Sequence, residues 1–80
     1  MQLFDREILD MSFNQNRNRL AVAGDTGIRI VDMSSFTRVD SEAVLMNDDD
    51  SRRVCGIAWS PEGQILSIAT KGGVFLINYS

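Results

Sequence analysis

The chain contains no histidine. That excludes a Ser-His-Asp triad and every mechanism that takes its general base from an imidazole. It has one cysteine, Cys55. A single thiol makes no internal disulfide, so the stapled scaffolds of small secreted domains are excluded. With no histidine beside it, the common zinc-ligand sets are missing, and nothing in the sequence activates Cys55 as a nucleophile. It reads as a small strand residue. No apolar run approaches the roughly 20 residues that span a bilayer, so no direct membrane insertion is expected. The first ten residues mix acids with apolar groups and lack the basic-then-apolar order of a signal peptide. Basic residues are few, 8 against 11 acidic, giving a net charge of −3. Only Arg52 and Arg53 are adjacent. This balance argues against a nucleic-acid or anionic-membrane partner.

What is present is the composition of an ordinary soluble globular protein, with 44% apolar and 24% charged residues in 80. A chain of this length buries only about 60% of its unfolded surface, so its own core is marginal. The chain also repeats itself. An offset of 46 residues carries Gly27 onto Gly73 without a gap. The same offset carries Met11 and Phe13 onto Ile57 and Trp59, Leu20 and Val22 onto Leu66 and Ile68, and Ile28 and Ile30 onto Val74 and Leu76. Period-2 alternation alone matches aliphatic positions in part. It does not easily supply the shared aromatic and the shared glycine together.

Each unit reads as short strands parted by turns. Strands are expected near residues 8–13, 19–23, 28–32 and 42–46, then 54–59, 65–70 and 74–78. The stretch 14–18 is a turn whose side chains cap their own backbone, and 33–40 is a longer connection. The β-branched content favours strands, and no segment has the length and period of a stable helix. The expected organisation is a lead-in over 1–7, a first unit over 8–46, an acidic loop over 47–53 and a second unit over 54–80 without its outer strand. The twelve residues matched above as pairs are the expected core.

Trp59-Ser60-Pro61-Glu62-Gly63-Gln64 resembles the strand end and turn of a WD40 repeat. Pro61 presets φ for the turn and Gly63 permits the reversal. Asp25-Thr26-Gly27-Ile28-Arg29-Ile30-Val31-Asp32 resembles the end of the same repeat, with Val31 in place of its Trp, and residues 71–78 do so more loosely. Within the WD40 class, residues 20–25, 28–32, 45–49, 56–59 and 63–67 resemble the propeller-bearing subunits of intraflagellar transport complex A. The resemblance implies an all-β fold of about two antiparallel blades of a WD40-type β-propeller, an incomplete ring. Neither unit keeps an intact Trp-Asp pair, and the buried network that needs histidine cannot form, so the blades are held by apolar packing. Family members are far longer, which implies a fragment.

The resemblance also implies that the loop joining two blades opens on the same face as the second-to-third-strand turns. That groups Asp48, Asp49, Asp50, Arg52 and Arg53 with Asp25 and Lys71 as a candidate protein contact. The plainer reading is a solvated loop with local charge compensation. The three aspartates lack the alternating spacing and closing Glu of an EF-hand, and no metal or other cofactor is implied. Trp59 and Phe13 are either exposed anchors or, as large aromatics, fillers between blades. The expected function is a protein-interaction scaffold that turns over no substrate. Its implied partners are other subunits of a multi-subunit transport complex, in the cytoplasm at the cilium or its base. A regulatory or gating propeller of a larger enzyme, such as a propeller-containing peptidase, is the alternative.

Overall fold

The computed structural model describes residues 8–24, 27–45 and 54–79. Its strands fall where period-2 alternation and β-branched side chains place them. They are β1 (Ile8–Asn14), β2 (Arg19–Gly24), β3 (Gly27–Asp32), β4 (Thr37–Arg38), β5 (Val44–Leu45), β6 (Val54–Trp59), β7 (Ile65–Thr70) and β8 (Gly73–Asn78). All pairing is antiparallel. The first sheet runs β1-β2-β3, with β4 and β5 both on the outer edge of β3. The second runs β6-β7-β8. The two sheets do not close on themselves, the layout of an incomplete propeller.

The sequence offset reappears as register. Phe13 pairs with Leu20 and Trp59 with Leu66; Ala23 pairs with Ile28 and Ala69 with Val74. A β-bulge lies between Ile8 and Asp10 in β1, and its counterpart lies between Val54 and Gly56 in β6. Even the backbone repeats, since Gly27 and Gly73 open β3 and β8 with φ of 141° and 142°. Both units therefore carry the same twist-inducing bulge at the same place.

The expected fourth strand over 42–46 is corrected. It begins earlier, at Thr37, and is split. Val39 N–H donates to the Ile30 carbonyl (2.8 Å) and continues the ladder, then Asp40–Glu42 forms a short 3-10 turn before pairing resumes at Val44. Val39 and Val44 pack on the core, while the polar Asp40-Ser41-Glu42 run is thrown out as a bulge. Among the described residues, eight strands thus replace the seven expected. Among the described residues the 3-10 turn is the one helical element.

The sheets stack through a mixed core. Ala21, Ala23, Ile28 and Ile30 of the first sheet meet Val54, Ile57, Leu66 and Ile68 of the second. Burying each Ile or Leu side chain is worth about 1.5–3 kcal/mol. Four residues expected in the core are exposed, and Leu20 and Val22 lie on the face of β2 opposite Ala21 and Ala23, outside the cluster between the sheets. Met11 (57% exposed) and Phe13 (51%) lie on the face of β1 opposite Asp10 and Ser12, and Asp10 and Ser12 face the second sheet. Val74 (67%) and Leu76 (65%) lie on the face of β8 turned away from the first sheet. Alternation gives a strand two sides and does not say which side is covered. Val22, Ile28, Ile30, Ile57, Leu66 and Ile68 are buried, whereas Leu20 and Trp59 are half-buried.

The turn from Ser60 to Ile65 is held by its own hydrogen bonds. Gly63 N–H donates to the Ser60 carbonyl (2.9 Å), and the Ser60 hydroxyl accepts from Gln64 and Ile65 (both 3.2 Å). Gly63 has φ 76°, and a Cβ there would collide with the amide of the buried Asn14. Gly63→Ala should therefore lower stability by at least about 1–2 kcal/mol from backbone strain alone, measured as a fall in denaturant midpoint at unchanged slope. A midpoint equal to wild type would show that the turn relaxes freely.

Candidate interaction surface

An inner-edge strand has N–H groups that its own sheet does not use. In β6, Ile57 and Trp59 turn theirs away from β7 and toward β1. The polar side chains of β1 meet them at alternate positions. Asp10 Oδ2 accepts from Ile57 N–H (2.9 Å), and Ser12 Oγ accepts from Trp59 N–H (3.2 Å). Trp59 Nε1 donates to the Ser12 carbonyl (3.0 Å). One turn further on, Asn14 Nδ2 donates to the Gly63 carbonyl (2.8 Å), and its Oδ1 accepts from Arg17 N–H (3.2 Å). Asn16 Nδ2 donates to the Glu62 carbonyl (2.7 Å). In the sequence Asp10 and Ser12 alternate with apolar residues along a strand, and Asn14 and Asn16 belong to the stretch read as a turn. The structure makes them the seam between sheets.

The seam is closed at its far side by Tyr79. Its ring lies 5.4 Å from the Trp59 ring at a tilt of 57°, a favourable aromatic geometry. Its hydroxyl donates to the Glu42 carbonyl (2.6 Å), which ties the end of the second sheet to the 3-10 turn of the first. Arg19 steadies that turn, with Nε 3.3 Å from Glu42 Oε2 and Nη1 3.1 Å from Asp32 Oδ2. Burial, and then the Glu42 carboxylate, holds the Tyr79 phenol above its ordinary value of 10.0.

The candidate contact read from the sequence is placed only in part. Asp25, Asp48, Asp49, Asp50, Arg52 and Arg53 lie outside the described residues. Lys71 is exposed in the two-residue Lys71-Gly72 turn between β7 and β8. The described neighbours of the acidic stretch reach the same end of the sheets as Lys71. Leu45 pairs with Gly27, and Val54 pairs with Thr70 beside that turn. Cys55 is exposed on β6. Among the described residues, no three His, Cys, Asp or Glu side chains converge as metal ligands, and no helix is long and apolar enough to cross a membrane.

Stacked antiparallel sheets, related by one sequence offset and sealed strand edge to strand edge, define the class: an all-β chain built from propeller-like repeats. In sequence the chain is similar to WD repeat-containing protein 19 of Mus musculus, with 27% identity over 66 residues, and the relationship is WD-repeat-like. The match spans 82% of this chain and 5% of that protein. No protein-family profile matches the chain.

Two consequences of the seam are measurable. Trp59→Ala removes the ring packed between Ser12 and Tyr79 and should cost about 3 kcal/mol, read from denaturant melts. A change near zero would mean that the seam does not hold the sheets together. The Tyr79 bond needs the protonated phenol, which the folded chain holds more tightly than the unfolded one. Its contribution is thus complete below pH 10.0 and is lost as pH rises through the higher folded value. Tyr79→Phe should be less stable than wild type near neutral pH by about 0.5–1.5 kcal/mol, and the difference should close in strong alkali. A constant gap at every pH would assign the loss to packing instead.

Proposed function

We propose that the chain is part of a protein-interaction scaffold of the WD-repeat type and that it turns over no substrate. The observation that carries this reading is the repeated register. Two sheets with the same pairing, bulge and opening glycine stack into a rigid frame, and frames of this kind present their connecting loops as binding surface. The residue-level resemblance to intraflagellar transport complex A subunits points to retrograde ciliary transport and cilium assembly as the setting. Its partners are then neighbouring protein subunits, met in the cytoplasm at the cilium or its base. A chain with net charge −3 suits protein partners better than nucleic acid.

The contact we assign is the acidic stretch 47–53 with Asp25 and Lys71; the described residues flanking that stretch, Leu45 and Val54, pair with Gly27 and Thr70. Charges at a rim set association rate and salt dependence, and single exposed pairs contribute only about 0–1 kcal/mol. One substitution therefore changes little. Reversing Asp48, Asp49 and Asp50 together should reduce capture of purified transport-complex subunits by this chain, more at low salt than at moderate salt. Circular dichroism should be unchanged. Equal capture by wild type and variant at both salt concentrations would remove the contact from this stretch. Absence of capture by the wild type would remove the transport setting itself.

A further inference from the structure

Backbone conformation singles out one side chain that the fold alone does not explain. Among the described residues, Asn18 (φ 53°) and Phe36 (φ 55°) are the non-glycine residues in the left-handed region. Each is the last residue of a four-residue turn, 15–18 between β1 and β2 and 33–36 between β3 and β4. The two turns are built alike. Asn14 and Asp32, the strand residues that lead into them, accept through Oδ1 from Arg17 N–H (3.2 Å) and Ser34 N–H (2.8 Å). Asparagine tolerates the left-handed region, whereas a bulky side chain there is an outlier that costs stability. The turn from Ser60 to Ile65 lies at the same end, joined by Asn16 to the Glu62 carbonyl, and Gly63 (φ 76°) takes its left-handed place. Two of these three turns have a residue type suited to the conformation. The third has phenylalanine.

Burial does not offset this strain, because Phe36 is 65% exposed. The turn is nonetheless braced. Met33 N–H donates to the Asn18 carbonyl (3.0 Å), Asn18 Nδ2 donates to the Ser34 hydroxyl, and the Ser35 and Thr37 hydroxyls are bonded to each other (2.7 Å). A ring on such a turn has little backbone freedom left to lose on binding. Ser34, Ser35 and Thr37 beside it are exposed and uncharged. The charges that flank the turn are compensated within the chain, Asp32 by Arg19 (3.1 Å) and Arg38 by Asp40 (3.8 Å). An aromatic anchor among small hydroxyl side chains is the composition of protein-binding loops. Strain kept at an exposed position points the same way, since strained residues cluster where ligands are clamped.

We propose that Phe36 is an anchor that inserts into an apolar pocket, the size of one aromatic ring, on a partner protein, with Ser34, Ser35 and Thr37 meeting the uncharged mouth of that pocket. The inference rests on the scaffold reading above and adds a second contact, at the end of the sheets opposite the Lys71 turn. The compensated charges around the ring match an uncharged mouth, so this contact is insensitive to salt, unlike one made by the acidic stretch. A lipid surface is the poorer occupant. The chain has net charge −3, and Arg38, the basic residue flanking the turn, is already paired.

The test compares wild type with Phe36→Asn, which keeps the turn geometry of Asn18 and removes the ring. The variant should unfold at a higher denaturant midpoint than wild type, because strain is released and little packing is lost. Its affinity for the purified transport-complex subunits used against the Asp48, Asp49 and Asp50 reversal should fall at least about tenfold, equally at low and moderate salt. A midpoint at or below wild type would make Phe36 a packing residue and overturn the proposal. Undiminished capture by Phe36→Asn, beside capture weakened by the aspartate reversal, overturns the anchor and leaves the scaffold reading standing. A wild type that captures no subunit overturns both. Vesicles of phosphatidylcholine, alone or with phosphatidylserine, form the last arm. Binding to them that is lost in Phe36→Asn, with capture of subunits unchanged, assigns the ring to lipid and overturns the proposal equally.

Discussion

The strand edge is the constraint from which this structure follows. An innermost strand has N–H groups on the side away from its sheet, and a buried amide without an acceptor costs about 1–3 kcal/mol. In β6 these are the amides of Ile57 and Trp59, and the sheet before it supplies the acceptors, Asp10 and Ser12. Those bonds fix the distance and the relative register of the two sheets. Apolar packing alone leaves register loosely set, because Leu66 and Ile68 can slide over Ala21 and Ile30 with small loss. The polar seam removes that freedom, and the Asn14 to Gly63 bond fixes the same alignment at the next turn.

Packing and edge bonding support each other here. The alanines of β2, Ala21 and Ala23, are fully buried and leave room for Ile28, Ile30, Leu66 and Ile68 between the sheets. With the sheets that close, the β1 side chains are short enough in Asp10 and Ser12 to reach the β6 backbone directly. The Trp59 ring then covers the seam, and its one polar atom finds the Ser12 carbonyl. Tyr79 extends the cover to the 3-10 turn. No described buried side-chain N or O lacks a hydrogen-bond partner, as expected where the polar groups of a seam are specified rather than tolerated.

The repeat carries a functional meaning as well as a structural one. A head-to-tail frame keeps its connecting loops on a fixed lattice, so loop chemistry can vary while geometry does not. The second unit of this chain has lost the polar side chains that the first uses on its neighbour, since Gly56 and Ala58 replace Asp10 and Ser12. Its outward face accordingly offers no side-chain acceptor at the two positions where the first sheet has them. Divergence at two positions thus changes what each face accepts, while strand pairing is left intact.

The sequence by itself determined three strands of each unit and their repeat. Alternation in 19–24, 27–32 and 65–70, the turn chemistry of Ser60 to Gly63 and the shared glycines 27 and 73 are local properties, decided within a few residues. Tertiary structure decided which sides of those strands are covered. Ile28 and Val74 occupy the same place in the same pattern, yet one is buried and the other exposed, because coverage depends on what lies across the face and not on the strand's own residues. It also decided the meaning of Asp10, Ser12 and Asn14. As a pattern, Asp10 and Ser12 alternate with apolar residues and Asn14 begins a turn. They become hydrogen-bonding partners only when a second sheet brings its unsatisfied edge within about 3 Å. The split of the fourth strand has the same origin, since Val39 and Val44 are drawn to a core that residues 37–45 do not themselves contain.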